Sequence, residues 1–374
     1  MNRRPSQSRT GFDSFSPQHT AHFKAAQPGG EFFEPKPRAS LGRRLLLALL
    51  LMTLIALAVN LAVNQFVRVA RVTVPIRRMD PAFEGYTLLQ ISDLKGATYG
   101  SNQALIRFAL QNEDFDAVVF TGDMVSSRGN AQPLYALIEM LRELKPDAPI
   151  YMIPGDKDPL PASMSYATGG SPFAPWVLGA KQRGGQLLSA PVQIERDGHT
   201  LWLTTSALLS LDMDTMQVQF ERQYLDALAD GDENAIELTT YNLQWLTETR
   251  NARAKMTDAD VYIALTHVPP ADEELESAYP GSLRERVHLV LCGHYQGGLI
   301  RLPFAGALFI PSQNLPLYGL LPGADTYFGL TRKGRTYLYV SPGLGGNDGL
   351  YPLPFFRLFN PPTVSLISLT TSSL

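Results

Sequence analysis

Five apolar runs in this chain end in residues that can bind a cation or move a proton. "TLLQISD" stops at Asp93, "AVVFTGD" at Asp123, "IYMIPGD" at Asp156, "VYIALTH" at His267 and "LVLCGH" at His294. Carboxylates and imidazoles are hard and borderline donors suited to Mn, Fe or Zn. One such Asp means little, because Asp commonly opens the turn after a strand. Five in succession point to a shared site. Two lysines complicate it: Lys157 lies between Asp156 and Asp158 in "MIPGDKDP", and Lys95 follows Asp93 in "SDLKG". An ammonium has three donors and no lone pair for a metal, so these turns suit a metal, a phosphate, or the remnant of such a site.

The elements that must position these residues are legible too. Short continuous apolar runs suit strands buried on both faces, as in a sheet covered by helices. "NQALIRFALQN" (102–112) and "AQPLYALIEMLREL" (131–144) carry apolar residues at three- and four-residue spacing, the mark of a helix with one buried face. Strand, helix, strand, helix, strand is then a βαβαβ unit, whose ligands collect beyond the carboxyl ends of the strands. Later segments read as antiparallel. "VQIERDGHTLWLTTS" (192–206) turns at Asp197-Gly198, and "YFGLTRKGRTYLYVS" (327–341) turns at Lys333-Gly334, both strong hairpin signals. Residues 220–229 and 238–256 read as helices. The expected fold class is an α/β sandwich over 86–374, two facing mixed β-sheets flanked by helices, after one N-terminal transmembrane helix.

From Leu45 to Val67 no charge occurs in 23 residues, enough to cross the hydrocarbon core as a helix. A long preceding region and no small-x-small cleavage site favour an uncleaved anchor over a signal peptide. The expected organisation is a disordered basic tail over 1–42, an anchor over 43–67, a juxtamembrane segment over 68–85 and the large domain beyond. Lys36, Arg38, Arg43 and Arg44 precede the span while Arg68, Arg71, Arg77 and Arg78 follow it, so the positive-inside count nearly ties. A short basic tail usually stays in the cytoplasm. The expectation is a single-pass cell-membrane protein with its large domain outside.

Of 32 basic and 35 acidic residues, twelve and three lie in 1–78, which leaves a net charge of −12 over 79–374. An acidic domain repels polyanions, so nucleic acid is not an expected partner. The one cysteine, Cys292, excludes an intrachain disulfide and a zinc–cysteine cluster. It reads as a small buried residue, and His288 as packing rather than ligation.

The series "SDLK", "GDMVS", "GDKD", "LTH" and "GHYQGG", each after a strand, resembles the calcineurin-like metallophosphoesterases over most of 86–370. That family reads D-x-H, G-D-x-x-[D/N], G-N-H-[D/E], a lone H and G-H-x-H. "GGLIRLPF" and "LYVSPGLGG" resemble its membrane-associated bacterial branch, some of whose members act on lipid-linked phosphoesters. The resemblance implies a two-metal clamp that activates water and steadies phosphoryl oxygens. It would make Asp93 a ligand of the first metal and Asp123 the bridge, with Asp156, His267 and His294 completing the second position.

The chain departs from the pattern at three places. Lys95 and Gln296 stand where first-metal histidines belong, and Lys157 replaces a phosphate-contacting histidine. A lysine beside Asp93 and Asp123 supplies positive charge without ligating, worth about 4 kcal/mol per pair at roughly 4 Å and an effective dielectric near 20. It equally attracts a phosphate. The implied function is a membrane-anchored phosphoesterase-fold protein with an incomplete two-metal centre, catalytically impaired, that binds a phosphorylated ligand or partner. The alternative is an active hydrolase in which one divalent ion (Mn, Fe or Zn) works with Lys95 and Lys157 as catalytic residues on a phosphoester. A third reading leaves no metal and purely structural strand ends.

Overall fold

The computed structural model describes residues 40–372, apart from 127, 167–170, 277–282, 303–304, 309, 311–318, 324–326 and 347–356. Positions 1–39 of the expected tail lie outside the described residues. The chain forms two compact units, Met1–Met52 and Thr53–Leu374. Helix α1 (Leu41–Val63) runs through the boundary between them. Its 23 residues make it long and apolar enough to cross a membrane, at about 1.5 Å per residue. Most of its leucines are exposed, and Asn60 is buried.

The second unit alternates strands and helices. After α1 come β1 (Arg68–Arg77), β2 (Thr87–Ile91), α2 (Ala104–Leu110), β3 (Ala117–Thr121), α3 (Gln132–Leu144) and β4 (Ile150–Ile153). Next are α4 (Pro175–Gln182), β5 (Gly185–Leu187), β6 (Val192–Arg196) and β7 (His199–Thr205). A helical segment follows: α5 (Ser206–Leu209), α6 (Met213–Asp230) and α7 (Glu233–Lys255). The chain then continues through β8 (Val261–Leu265), α8 (Asp272–Glu276), β9 (Leu289–Cys292), β10 (Arg301–Leu302) and β11 (Gly306–Ala307). It closes with β12 (Gly329–Lys333), β13 (Thr336–Val340) and β14 (Thr363–Ser372).

Two mixed sheets result, ordered β1-β14-β2-β3-β4-β5 and β12-β13-β9-β8-β7-β6. Strands β2 to β5 are parallel, as are β7, β8, β9 and β13, while the two expected hairpins form the antiparallel edges β6-β7 and β12-β13. Neighbouring residues face opposite ways. Leu88, Val119, Ile153, Ile263 and Leu291 therefore join a core between the sheets. Leu89, Val118, Phe120 and Met152 pack outward onto a second core with Leu134, Leu137, Ile138 and Leu141 of α3. Each such leucine contributes about 1.5–3 kcal/mol by leaving water.

Segment 68–85, the expected juxtamembrane segment, contributes β1. Its alternating Val72, Val74 and Ile76 place Val74 and Ile76 in the inter-sheet core, and all ten residues pair in parallel with β14. The predicted helix over 102–112 is shorter, because Asn102 and Gln103 take left-handed backbone before α2. Predicted helices over 220–229 and 238–256 fall in α6 and α7, both of which begin earlier, and Met256 caps the end of α7. Gly231, at φ 67°, ends α6, and the Asp232 carboxylate accepts from Ala235 N to start α7.

His288 is a packing residue. Its Nδ1 accepts a hydrogen bond from Tyr262 N at 3.1 Å, and its ring stacks on Tyr262. Burial, with Arg335 nearby, pulls its pKa down to about 4. The folded protein thus keeps His288 neutral where the unfolded chain, near 6.5, takes up a proton. Stability should fall by roughly 3 kcal/mol as pH drops from about 6.5 to 4. Urea denaturation of His288→Gln against the parent across that range checks this: the variant should lack that part of the acid loss.

Candidate metal centre

The strand-end residues converge. Asp93 and Asp123 follow β2 and β3, Asp156 follows β4, and His267 and His294 follow β8 and β9 of the facing sheet. Several reach the centre on unusual backbone: Asp93, Lys95, Asp123, His294 and Gln296 have φ of 56°, 50°, 55°, 69° and 51°. Left-handed backbone costs about 1–3 kcal/mol at each non-glycine residue, and such strain concentrates at functional sites. Close packing of the loops accounts for the adjoining glycines. A Cβ on Gly155 would collide with the Asp123 carboxylate, and one on Gly293 with Ser92 Oγ.

Ligating atoms of Asp93, Asp123 and His267 lie within 4.8 Å of one another, and so do those of Asp156, His267 and His294. All five predicted ligands therefore meet in two overlapping groups, with His267 common to both. His267 Nδ1 lies 2.8 Å from Thr121 O, which turns Nε2 towards Asp156 Oδ1 at 2.9 Å and Asp123 Oδ2 at 3.4 Å. His294 Nδ1 is 3.4 Å from both His267 Nε2 and Asp156 Oδ1. A histidine held by a backbone carbonyl on one nitrogen while presenting the other to carboxylates is oriented as a metal ligand requires.

Electrostatics reflect the crowding. Burial disfavours the His267 cation, but hydrogen bonds to Asp123 and Asp156 and the field of Asp93 outweigh it and lift its pKa to about 11. Burial likewise opposes ionisation of Asp123, yet His267, Lys95 and the Lys157 backbone N–H bring its pKa below the usual carboxylate value. The His267 hydrogen bond depresses Asp156 well below its ordinary range, against partial burial.

The lysines take different places. Lys95 Nζ lies 3.3 Å from Asp123 Oδ2, with its side chain only 6% exposed. Lys157 Nζ sits 3.3 Å from Asp156 Oδ2 at the rim, half exposed, while its backbone N–H donates to Asp123 Oδ1 at 2.8 Å. Gln296 is buried with its Oε1 lacking a hydrogen-bond donor. Asp158 pairs with neither lysine. Its carboxylate accepts from Val125 N and Gly155 N and so shapes the β4 turn.

A divalent ion fits this donor set. Asp93 Oδ1 is a buried acceptor without a hydrogen-bond donor, and a buried carboxylate oxygen is costly unless a cation or donor meets it. Asp156, His267 and His294 offer a mixed N/O set of the kind that takes Mn, Fe or Zn. On the Asp93 side, a fixed ammonium already stands against the shared carboxylate.

A family model described as calcineurin-like phosphoesterase matches residues 86–296. The chain belongs to the calcineurin-like phosphoesterase family. Over 266 residues it is 25% identical to the uncharacterized metallophosphoesterase YkuE of Bacillus subtilis (strain 168), covering 70% of this chain and 73% of that protein. Among solved structures, it is similar to phosphopantetheinyl hydrolase of Mycobacterium tuberculosis, at 13% identity and TM-score 0.34, covering 70% of this chain and 91% of the other. The protein TT1561 of Thermus thermophilus gives 12% identity, TM-score 0.34 and coverage of 69% and 89%. Membership in a metallophosphoesterase family implies a divalent metal and a phosphoester substrate for this fold.

Two contributors escaped the sequence reading. Ser92 Oγ donates to Asp93 Oδ2 at 2.6 Å and helps fix that carboxylate. Arg357 is buried and donates to the carbonyls of Gly345 at 2.6 Å, Pro342 at 2.8 Å, Gln296 at 3.1 Å and Asn360 at 2.7 Å. It clamps the loops after β9 and β13 together. Neither residue ends an apolar run, so neither carried the signal that exposed the others.

Proposed function

We propose that this is a membrane-anchored phosphoester-binding member of the family whose centre holds one divalent ion rather than two. Asp123, Asp156, His267 and His294 would hold it, Asp93 would stay an anion held by Ser92 Oγ and the His294 backbone N–H, and α1 would tether the domain with its bulk outside the cell. The observation that carries this reading is the buried Lys95 ammonium 3.3 Å from Asp123 Oδ2. It supplies fixed charge where the family pattern has a histidine ligand. When bound, the ion would polarise a phosphoryl oxygen.

The chain's own residues bind and orient. The half-exposed Lys157 offers a point charge to the non-bridging oxygens of a phosphate at the rim. Lys95 holds Asp123 in place. Relative to a two-metal enzyme, hydrolysis would be impaired, and recognition of a phosphorylated ligand would dominate. The half-exposed Lys157 also favours the second reading: a slow hydrolase in which its ammonium steadies the phosphoryl group during attack by water.

Elemental analysis of the purified full-length protein, paired with phosphodiesterase and phosphomonoesterase assays in Mn and Zn, tests the reading. One ion per chain with slow or absent turnover is expected. Two ions per chain with vigorous turnover, or none under saturating metal, would sink it. The triple change Lys95→His, Lys157→His, Gln296→His should raise binding to two ions. If that folded variant stays at its parent's stoichiometry, the site alignment is wrong.

A further inference from the structure

We propose that the surface continuous with the last turn of α1 is an apolar apron that seats the domain on the bilayer interface. The inference rests on the anchoring part of the reading above. Asn60 and Asn64, four apart on α1, each donate from Nδ2 to the carbonyl of Arg357 at 2.7 Å. Asn60 Oδ1 accepts from Phe359 N at 2.8 Å, and Asn60 is itself buried. The partners of both amides lie within the same unit, Thr53–Leu374. The end of the apolar helix is bonded to the segment that Arg357 clamps to the loops of the metal centre.

From that segment a ladder of backbone hydrogen bonds runs outward. Leu358 accepts from Arg301 N and donates to Leu299 O, Leu308 N donates to Ile300 O, and Leu321 N donates to Leu308 O. Exposed apolar side chains line it: Leu302, Leu320, Leu321, Phe328 and Phe359, with Phe66 where the chain leaves α1. Two of them, Leu321 and Phe359, hold left-handed backbone at φ 48° and 52°, a strained state for bulky residues. Arg301 stacks 4.1 Å over the Phe328 ring. An apolar body with an aromatic margin suits the headgroup boundary, where aromatic rings collect.

What commits this surface to lipid, rather than to another protein, is its covalent and hydrogen-bonded continuity with a helix of membrane-spanning length. Gln296 O accepts from both Arg357 and Asn360, so the loop carrying His294 shares the clamp that ties the apron to α1. A seated apron would hold the metal centre in a fixed attitude to the bilayer.

The test uses the full-length protein in vesicles of equimolar phosphatidylcholine and phosphatidylglycerol. Cysteines are introduced one at a time as Leu302→Cys, Leu320→Cys, Ile55→Cys and Val218→Cys and labelled with a polarity-sensitive nitrobenzoxadiazole probe; native Cys292 is buried and stays unlabelled. Emission is read with and without lipid spin-labelled near the headgroup end of the acyl chain. The expected result is blue-shifted, quenched emission at 302 and 320, as at 55, and aqueous, unquenched emission at the exposed α6 position 218. Quenching at 55 with aqueous emission at 302 and 320 overturns the apron and leaves the anchor standing. Aqueous emission at 55 overturns the anchor reading and the apron with it. Equal quenching at 218 shows non-specific adsorption and also overturns the apron.

Discussion

Replacing Lys95 with Met should destabilise the metal-free domain by about 3–5 kcal/mol, the range for removing one partner of a buried ion pair. The Lys95 ammonium is almost wholly removed from water and faces a carboxylate that is 1% exposed. At 3.3 Å and an effective dielectric near 20, the attraction is about 5 kcal/mol before desolvation is counted. Methionine keeps the length and apolar stem, so the loss isolates charge from packing. The variant leaves Asp93 and Asp123 as neighbouring buried anions, with the His267 cation against Asp123. One carboxylate must then take up a proton or the structure must open. The deficit should therefore be larger at pH 8 than at pH 5, where protonation relieves the repulsion. Saturating Zn or Mn should restore part of it, since a divalent ion at the Asp93 side replaces the missing charge. Urea denaturation at both pH values measures each claim. A loss under about 1 kcal/mol at pH 8, the size of a surface pair, would mean that Lys95 does not stand in for an ion.

The second large effect concerns His267 and metal affinity. With its pKa lifted to about 11, the metal-free protein carries His267 as an imidazolium throughout the neutral range. An ion at Nε2 must displace that proton, so apparent affinity should rise about tenfold per pH unit between roughly pH 6 and 9. His267→Gln removes both ligand and proton. The variant should lose at least about 100-fold in affinity, a loss that displacing even a supporting partner can reach, and its residual binding should be flatter with pH. Competition titration with a metal-sensitive dye reads both quantities. A wild-type affinity independent of pH would place the ion elsewhere. The same shift has a stability consequence in the absence of metal. His267 is raised above its unfolded value near 6.5, so its contribution is complete below about 6.5 and fades as pH climbs through about 11. Asp156 and Asp123 are depressed, so theirs is present above the unfolded carboxylate value and is lost on acidification. Between those limits the metal-free centre is at its most stable, and that is also where an ion must displace a proton.

The sandwich was legible in the sequence because both of its periods are local. Runs such as "AVVFT" and "VYIAL" announce strands covered on both faces, and the two hairpin turns announce antiparallel edges. In parallel sheets a ligand site forms at the strand ends, so naming the runs already named Asp93, Asp123, Asp156, His267 and His294 together. Tertiary structure decided which partner each group meets. That Lys95 lies against Asp123 rather than in solvent depends on the left-handed turn after β2 and on parallel pairing with β3. That β1 belongs to the sheet depends on β14, almost 300 positions away, whose register no local pattern encodes. That Asn60 is buried against the Arg357 carbonyl depends on a residue 297 positions later, which no local pattern encodes. Chemistry carried by residue type and period can be read along a chain. Chemistry carried by proximity depends on sheet register and loop packing, and only the folded chain sets those.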